Sequence, residues 1–189
     1  MTRPVEDLRA DAARNVHRIV EMSARLLGED ANVGMAEVAA AAGVSRATVY
    51  RHFPTREALV AAIQAQAVGQ SEQALLECRL DEGCATDALR RLCTAWLDVA
   101  ERYALAEVGP TTDAETLAHR RRVLGDPLRT LIERGKLAGE FSPALSTEWC
   151  VRSFGALLLA GARGVADGTL TRDEAPDLVF RSLHEGLHA

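Results

Sequence analysis

No run of apolar residues in this chain approaches the roughly 18 that a membrane span demands, so no transmembrane helix is expected. The opening, MTRPVEDLRADAARNVHRIV, brings in carboxylates early and lacks an apolar core, which argues against a secretory signal. The cysteines, Cys78, Cys84, Cys93 and Cys150, form no CxxC pair and follow no zinc-ligand spacing. They read as core thiols of a cytoplasmic protein, with thiol sensing as the minor alternative. No Ser-His-Asp set, P-loop or dinucleotide fingerprint occurs, and no β-branched alternation persists. What remains is ordinary globular composition, 48% hydrophobic and 26% charged, with enough chain to bury a sizeable core.

One absence is local. From Val38 to Arg56 there is no carboxylate, although the whole chain carries a net charge of −5. The same stretch holds Arg46, Arg51, His52 and Arg56. Residues 1–56 contain eight arginines against seven acids, so the negative charge sits in the remainder. This asymmetry suggests an N-terminal part facing a polyanion and an acidic body facing water.

Ala, Leu, Arg and Glu dominate, and Gly or Pro punctuates at helix-length intervals, which predicts an all-α fold. A first helix is expected from Asp7 to Leu27, ended by GEDANVG. A short second helix follows at Met35–Ala42, then a third at Arg46–His52 with Ser45 as N-cap, stopped by Pro54. Thr55 opens a long fourth. Further on, Leu89, Cys93, Trp96, Ala100, Tyr103 and Glu107 fall on one stripe of an amphipathic helix broken at Gly109-Pro110. Two shorter helices, TDAETLAHRRRVLG and DPLRTLIERGKLAGE, precede two closing ones, for about nine in all.

VAAAAGVSRATVYRHF supplies what a helix–turn–helix needs: small residues at the helix contact, Gly43 in the turn, and Val49 and Phe53 directed inward. Arg46 then suits guanine O6/N7 and the Ala47 methyl suits a thymine methyl. Thr48, Tyr50 and His52 offer donors to phosphate oxygens, Arg56 adds charge at a helix start, and Arg51 serves either base or backbone. A carboxylate anywhere in this segment would repel phosphate.

GVSRATVYRHFPTREAL resembles the signature of the tetracycline-repressor (TetR) family of bacterial transcriptional regulators. Gly43, Val44, Ser45, Thr48, Tyr50, His52, Phe53, Arg56, Glu57 and Leu59 match it, and Ile19, Leu27, Val38 and Ala39 match its apolar positions upstream. The likeness covers roughly residues 14–63. It departs in the shorter GEDANV loop and in Gly34, which stands where the family has a Ser or Thr cap. The resemblance implies a three-helix DNA-binding domain (residues 1–56) joined to a larger helical ligand-binding and dimerisation domain (residues 57–189). It also implies a repressor released from a palindromic operator by a small-molecule effector.

One reading head makes few contacts at physiological salt, and two-fold dimers are the usual remedy. WCVRSFGALLLAGARGVA is apolar nearly all round, with Gly155, Gly161 and Gly164 allowing close approach; one face can meet its own body and the other then needs a partner. With the last helix it suggests a dimer interface of Phe154, Leu158, Leu178, Val179, Leu183 and Leu187. Cys93, Trp96 and Tyr103, with Trp149 and Phe154, are candidates to line the implied effector pocket, although aromatics at helical spacing are more often core. HRRRVLG reads as a solvated helix face rather than a counter-charge for an anionic effector. HEGLH, residues 184–188, matches the H-E-x-x-H zinc motif, but catalytic zinc also needs a third ligand; helix-end histidines are expected, with no metal, no cofactor and no enzyme activity. A regulator without an effector, or an activator, would use the same head, and a zinc hydrolase is the remote alternative.

Overall fold

The computed structural model describes residues 5–30, 32–103 and 114–187, and these are all-helical. Helix α1 (Val5–Glu29), α2 (Met35–Ala41) and α3 (Arg46–His52) precede the long α4 (Arg56–Glu77) and α5 (Ala85–Arg102). Then come α6 (Ala114–Arg120), a π-helical turn (Arg121–Gly125), α7 (Asp126–Leu137), α8 (Thr147–Ala166) and α9 (Glu174–Leu187). Among the described residues no helix is long and apolar enough to cross a membrane. The expected continuation of α5 past Tyr103, the break at Gly109-Pro110, Glu107 and His188 lie outside the described residues.

Two apolar cores organise the chain. The first gathers Ile19, Val20, Ala24 and Leu27 of α1, Val38 and Ala39 of α2, Val49 of α3, and Leu59, Ile63 and Ala67 of α4. The second packs Leu89, Leu92, Cys93 and Leu97 of α5 against Leu128, Leu131 and Ile132 of α7, Phe154 and Leu158 of α8, and Val179, Phe180 and Leu183 of α9. The α5 stripe read from the sequence is buried as expected through Tyr103. Its far end differs in allegiance: Val99 and Tyr103 belong to the first core, where they meet the head.

One helix start is held by a residue remote in sequence. Glu140, in the loop between α7 and α8, accepts the Ala85 and Thr86 N–H groups at 3.0 and 2.8 Å and so caps α5. Those backbone donors hold its carboxyl below the usual range. Next to it, Phe141 lies flat on Gly135 of α7, where an added Cβ would fall 2.2 Å from the ring.

The expected break between two helices at Gly125 does not occur. Gly125 and Asp126 keep helical dihedrals, and the Asp126 N–H reaches the Arg121 carbonyl, one residue beyond the α-helical partner. Pro127 explains the widening: a proline inside an α-helix removes one N–H and collides with the carbonyl four residues earlier, here Val123. A wider turn relieves that collision without ending the helix.

Two of the three α8 glycines allow the close approach expected of them. A Cβ on Gly161 would meet Val179 of α9 at 2.8 Å, and one on Gly164 would meet Leu170 at 2.7 Å. Both close approaches are within the chain, not to a partner. A Cβ on Gly155 meets nothing within 4 Å.

Three of the cysteines, Cys78, Cys93 and Cys150, are buried, and Cys84 departs from the core-thiol reading by being exposed at the start of α5. Burial raises the pKa of all three buried thiols, that of Cys93 to about 12. At about pH 8 a thiol-disulfide reagent should therefore consume Cys84 rapidly and the other three only on unfolding, because thiolate is the reactive form. Gly135→Ala should destabilise the body by about 1–3 kcal/mol in urea unfolding, despite its better helix propensity, since the methyl displaces the Phe141 ring.

Candidate nucleic-acid interface and ligand cavity

The turn between α2 and α3 is set by Gly43, whose φ of +66° lies in the left-handed region where a side chain is strained. The Gly43 and Val44 N–H groups return to the Ala40 and Ala39 carbonyls at 3.1 and 3.0 Å, closing α2. Ser45 then caps α3: its Oγ accepts the Thr48 N–H at 3.1 Å and lies 2.9 Å from the Thr48 hydroxyl. Val49 and Phe53 are buried in the head core. Their anchoring turns Arg46, Ala47, Tyr50 and Arg51 outward as two i, i+4 pairs on one exposed face, with Tyr50 half exposed at 50%. Thr48 and His52 are half-buried at its margins. Arg51, ambiguous in the sequence, thus shares a face with Arg46.

The loop before α2 is held from outside. Gly34 brings no capping side chain, but its N–H donates to Glu37 Oε2 at 2.8 Å, so the carboxylate nearest the reading helix is engaged at the α2 start. Arg56 donates through Nη1 to the Val33 carbonyl. This residue was expected to face phosphate; its guanidinium also ties the first turn of α4 to the α1–α2 loop.

In the body, α4, α5, α8 and the α6–α7 segment line an open cavity of about 780 Å³. Val68, Trp96, Leu124, Leu128, Phe154 and Leu158 supply apolar walls. Trp96 Nε1 donates to the Ser71 carbonyl at 2.9 Å, and its ring meets Phe154 edge to face at 5.4 Å, so the indole is fixed. Arg120, Arg121, Arg129, Arg152 and Arg163 line the same space together with one carboxylate, Glu148. Arg129 bonds Glu148 at 2.9 Å and Asp126 at 2.5 Å, and Arg152 reaches Glu148 at 3.4 Å. The hydrogen bond from Arg129 is the main reason the Glu148 carboxyl is held below its ordinary range.

With the turn, the cap and the exposed α3 face in view, the kinship can be stated. Residues 19–63 match the model of the tetR family of bacterial regulatory proteins. The N-terminal head thus carries the tetR-family pattern. The chain is similar to the HTH-type transcriptional repressor LfrR of Mycolicibacterium smegmatis, 27% identical over 174 residues, covering 92% of this chain and 90% of that one. The crystal structure of LfrR in complex with proflavine superimposes with a TM-score of 0.75 at 26% identity, over 93% of this chain and 98% of that one. AibR, solved with isovaleryl coenzyme A and operator DNA, shares the fold at a TM-score of 0.69 and 22% identity, over 90% and 98% of the two chains. The curated relative that this chain matches along nearly its whole length is a transcriptional repressor.

Within the body, the residues singled out from the sequence scatter. Of the pocket candidates, Trp96 and Phe154 line the cavity; Cys93 is sealed in the core and Trp149 is 59% exposed. Tyr103 is buried beside the head, where its hydroxyl accepts from Gln66 of α4 at 3.2 Å. Gln66 Nε2 also lies 2.6 Å from His17 Nδ1 of α1. Of the dimer candidates, Phe154, Leu158, Val179 and Leu183 point into the chain's own core because α5 and α9 pack on α8 from within. Leu178 stays 39% exposed, and the Leu187 side chain lies outside the described residues. His184 of the HEGLH run stacks on Phe180, centroids 5.1 Å apart, so it packs the last helix.

Sequence reading missed the arginine lining. HRRRVLG had read as solvent-facing, and residues 119–122 are indeed exposed, but Arg120 and Arg121 also border the cavity. The available signal was the four-residue spacing of Arg120, Leu124 and Leu128, which puts cation and apolar side chains on one side of a helix. Arg56→Gln should destabilise the head by about 1–3 kcal/mol and speed amide exchange at Asn32 and Val33, since a charged donor to a partly buried carbonyl is lost.

Proposed function

We propose that this chain is a homodimeric repressor in the cytoplasm that binds a palindromic operator and is released when a small molecule fills the body cavity. The observation that carries the reading is the double role of α4. Leu59, Ile63 and Ala67 belong to the head core, while Gln64, Ala67, Val68 and Ser71 line the cavity. A ligand pressing on Val68 and Ser71 therefore acts on the helix to which the reading head is fixed. The bonds from Gln66 to Tyr103 and His17 tie the end of α5 to α1 across the same helix. Solved relatives support the pattern: LfrR was captured with proflavine, and AibR with an acyl coenzyme A and operator DNA.

At the DNA, Arg46 reads a guanine and Ala47 meets a thymine methyl, while Thr48, Tyr50, His52 and Arg56 hold phosphates and Arg51 extends the reading face. Two heads meet half-sites one helical turn apart, about 34–36 Å. The dimer face is the exposed side of α8 and α9, where Leu178 lies open beside Ala156, Leu159 and Ala160, which also border the cavity; Phe154, Leu158, Val179 and Leu183 shape it from beneath. Effector binding must favour the released conformation by about 1–3 kcal/mol to act as a switch.

Operator fragments selected from genomic DNA give the test. Arg46→Ala should weaken binding by about 1–3 kcal/mol and relax preference at one base pair of each half-site, and Tyr50→Ala should weaken all sequences alike. Both variants should sediment as dimers. Full-strength operator binding by the double variant, or a monomer at micromolar concentration, would refute the proposal.

A further inference from the structure

We infer that the cavity takes an amphipathic organic anion, an apolar body ending in a carboxylate or phosphate, with its head against Arg120 and Arg121. The inference rests on the effector reading above and names the class of ligand. Among the described residues, five arginines and one glutamate line the cavity of a chain whose net charge is −5, so its charge runs against the surrounding protein. The glutamate is committed, because Glu148 already accepts from Arg129 and Arg152. Among the described residues, neither Arg120 nor Arg121 is paired with a carboxylate. A cation entering would meet guanidinium groups and no uncommitted carboxylate on the described walls, whereas an anion finds the planar donors that hold carboxylate and phosphate best.

The π turn arranges this lining. Arg120, Leu124 and Leu128 form one row at four-residue spacing, and Arg121, Gly125 and Arg129 form a second. A widened turn keeps both rows on the cavity side, which agrees with the frequent placement of such turns at functional sites. The first row runs from a guanidinium to leucine side chains, a gradient that matches a molecule charged at one end. Opposite it, Trp96 and Phe154 form an apolar wall whose indole N–H is already used by the Ser71 carbonyl. That wall therefore offers the ligand contact area rather than a hydrogen bond.

The chain has two tryptophans, so Trp149→Phe leaves Trp96 as the sole indole reporter inside the cavity. Full-length Trp149→Phe protein is titrated, below micelle formation, with dodecanoate, dodecyl phosphate, dodecanol and dodecylamine, and operator release is read in the same samples. At least one anion should bind about tenfold or more tighter than dodecylamine, and added salt should weaken the anions but not dodecanol. Arg120→Gln with Arg121→Gln should remove that advantage while leaving dodecanol binding unchanged. The tighter of the two anions identifies the head group. Dodecylamine binding as tightly as both anions, an unchanged preference in the double variant, or no binding by either anion would overturn the inference. Operator release by dodecanol and dodecylamine as readily as by the anions would leave the effector reading standing and remove the anion class. Anion binding at Trp96 with the operator still held would do the reverse.

Discussion

The head and the body are joined through α4, with the end of α5 packed beside it. The N-terminal half of α4 is locked into the head by Leu59 and Ile63, and its next turns form a wall of the body cavity with Val68 and Ser71. Ala67 belongs to both. A close-packed core transmits displacement rather than absorbing it, so neither core can shift against α4 without involving the other. The Thr55 cap and the Arg56 bond to the Val33 carbonyl fix the head end of this helix to the rest of the head. The Gln66 amide, between Tyr103 and His17, extends the constraint to α1 and α5.

Charge is used twice in an otherwise acidic chain. On the head, cations stand on an exposed helix face cleared of carboxylates, the arrangement for a polyanion approached from solvent. In the body, arginines gather around the rim of a cavity with apolar walls, where a charged head and an apolar body can be met together. Glu148 tempers this second cluster, holding Arg129 and Arg152 in place and lowering their net charge. The π turn belongs to the same economy of means: Pro127 forces a wider turn, and that turn sets Arg121 and Leu124 beside the cavity.

The head was legible in the sequence because its determinants are local. Ser45 caps the helix three residues ahead of Thr48, Gly43 supplies a left-handed turn, and Val49 and Phe53 face inward by helical spacing alone; α3 therefore begins and ends where expected, at Arg46 and His52. The body was legible only in part. The α5 stripe was right about burial and wrong about use: of Cys93, Trp96 and Tyr103, one is sealed in the core, one lines the cavity and one packs on the head. Periodicity tells which residues leave the water, not which empty space or neighbour they meet. Phe154, Leu158, Val179 and Leu183 failed as surface residues for the same reason, since an apolar helix face does not say whether its partner belongs to the same chain.

The sequence by itself determined the helical class, the reading helix with its cap and turn, and the partition of its side chains between core and solvent. All of these follow from interactions within a few residues and from helical period. The tertiary structure alone decided that Arg120 and Arg121 border a cavity, that Glu140 caps a helix more than fifty residues away, and that Gly161 admits Val179 of the same chain. Those outcomes depend on how helices distant in sequence come to lie against one another, and local spacing carries no record of that.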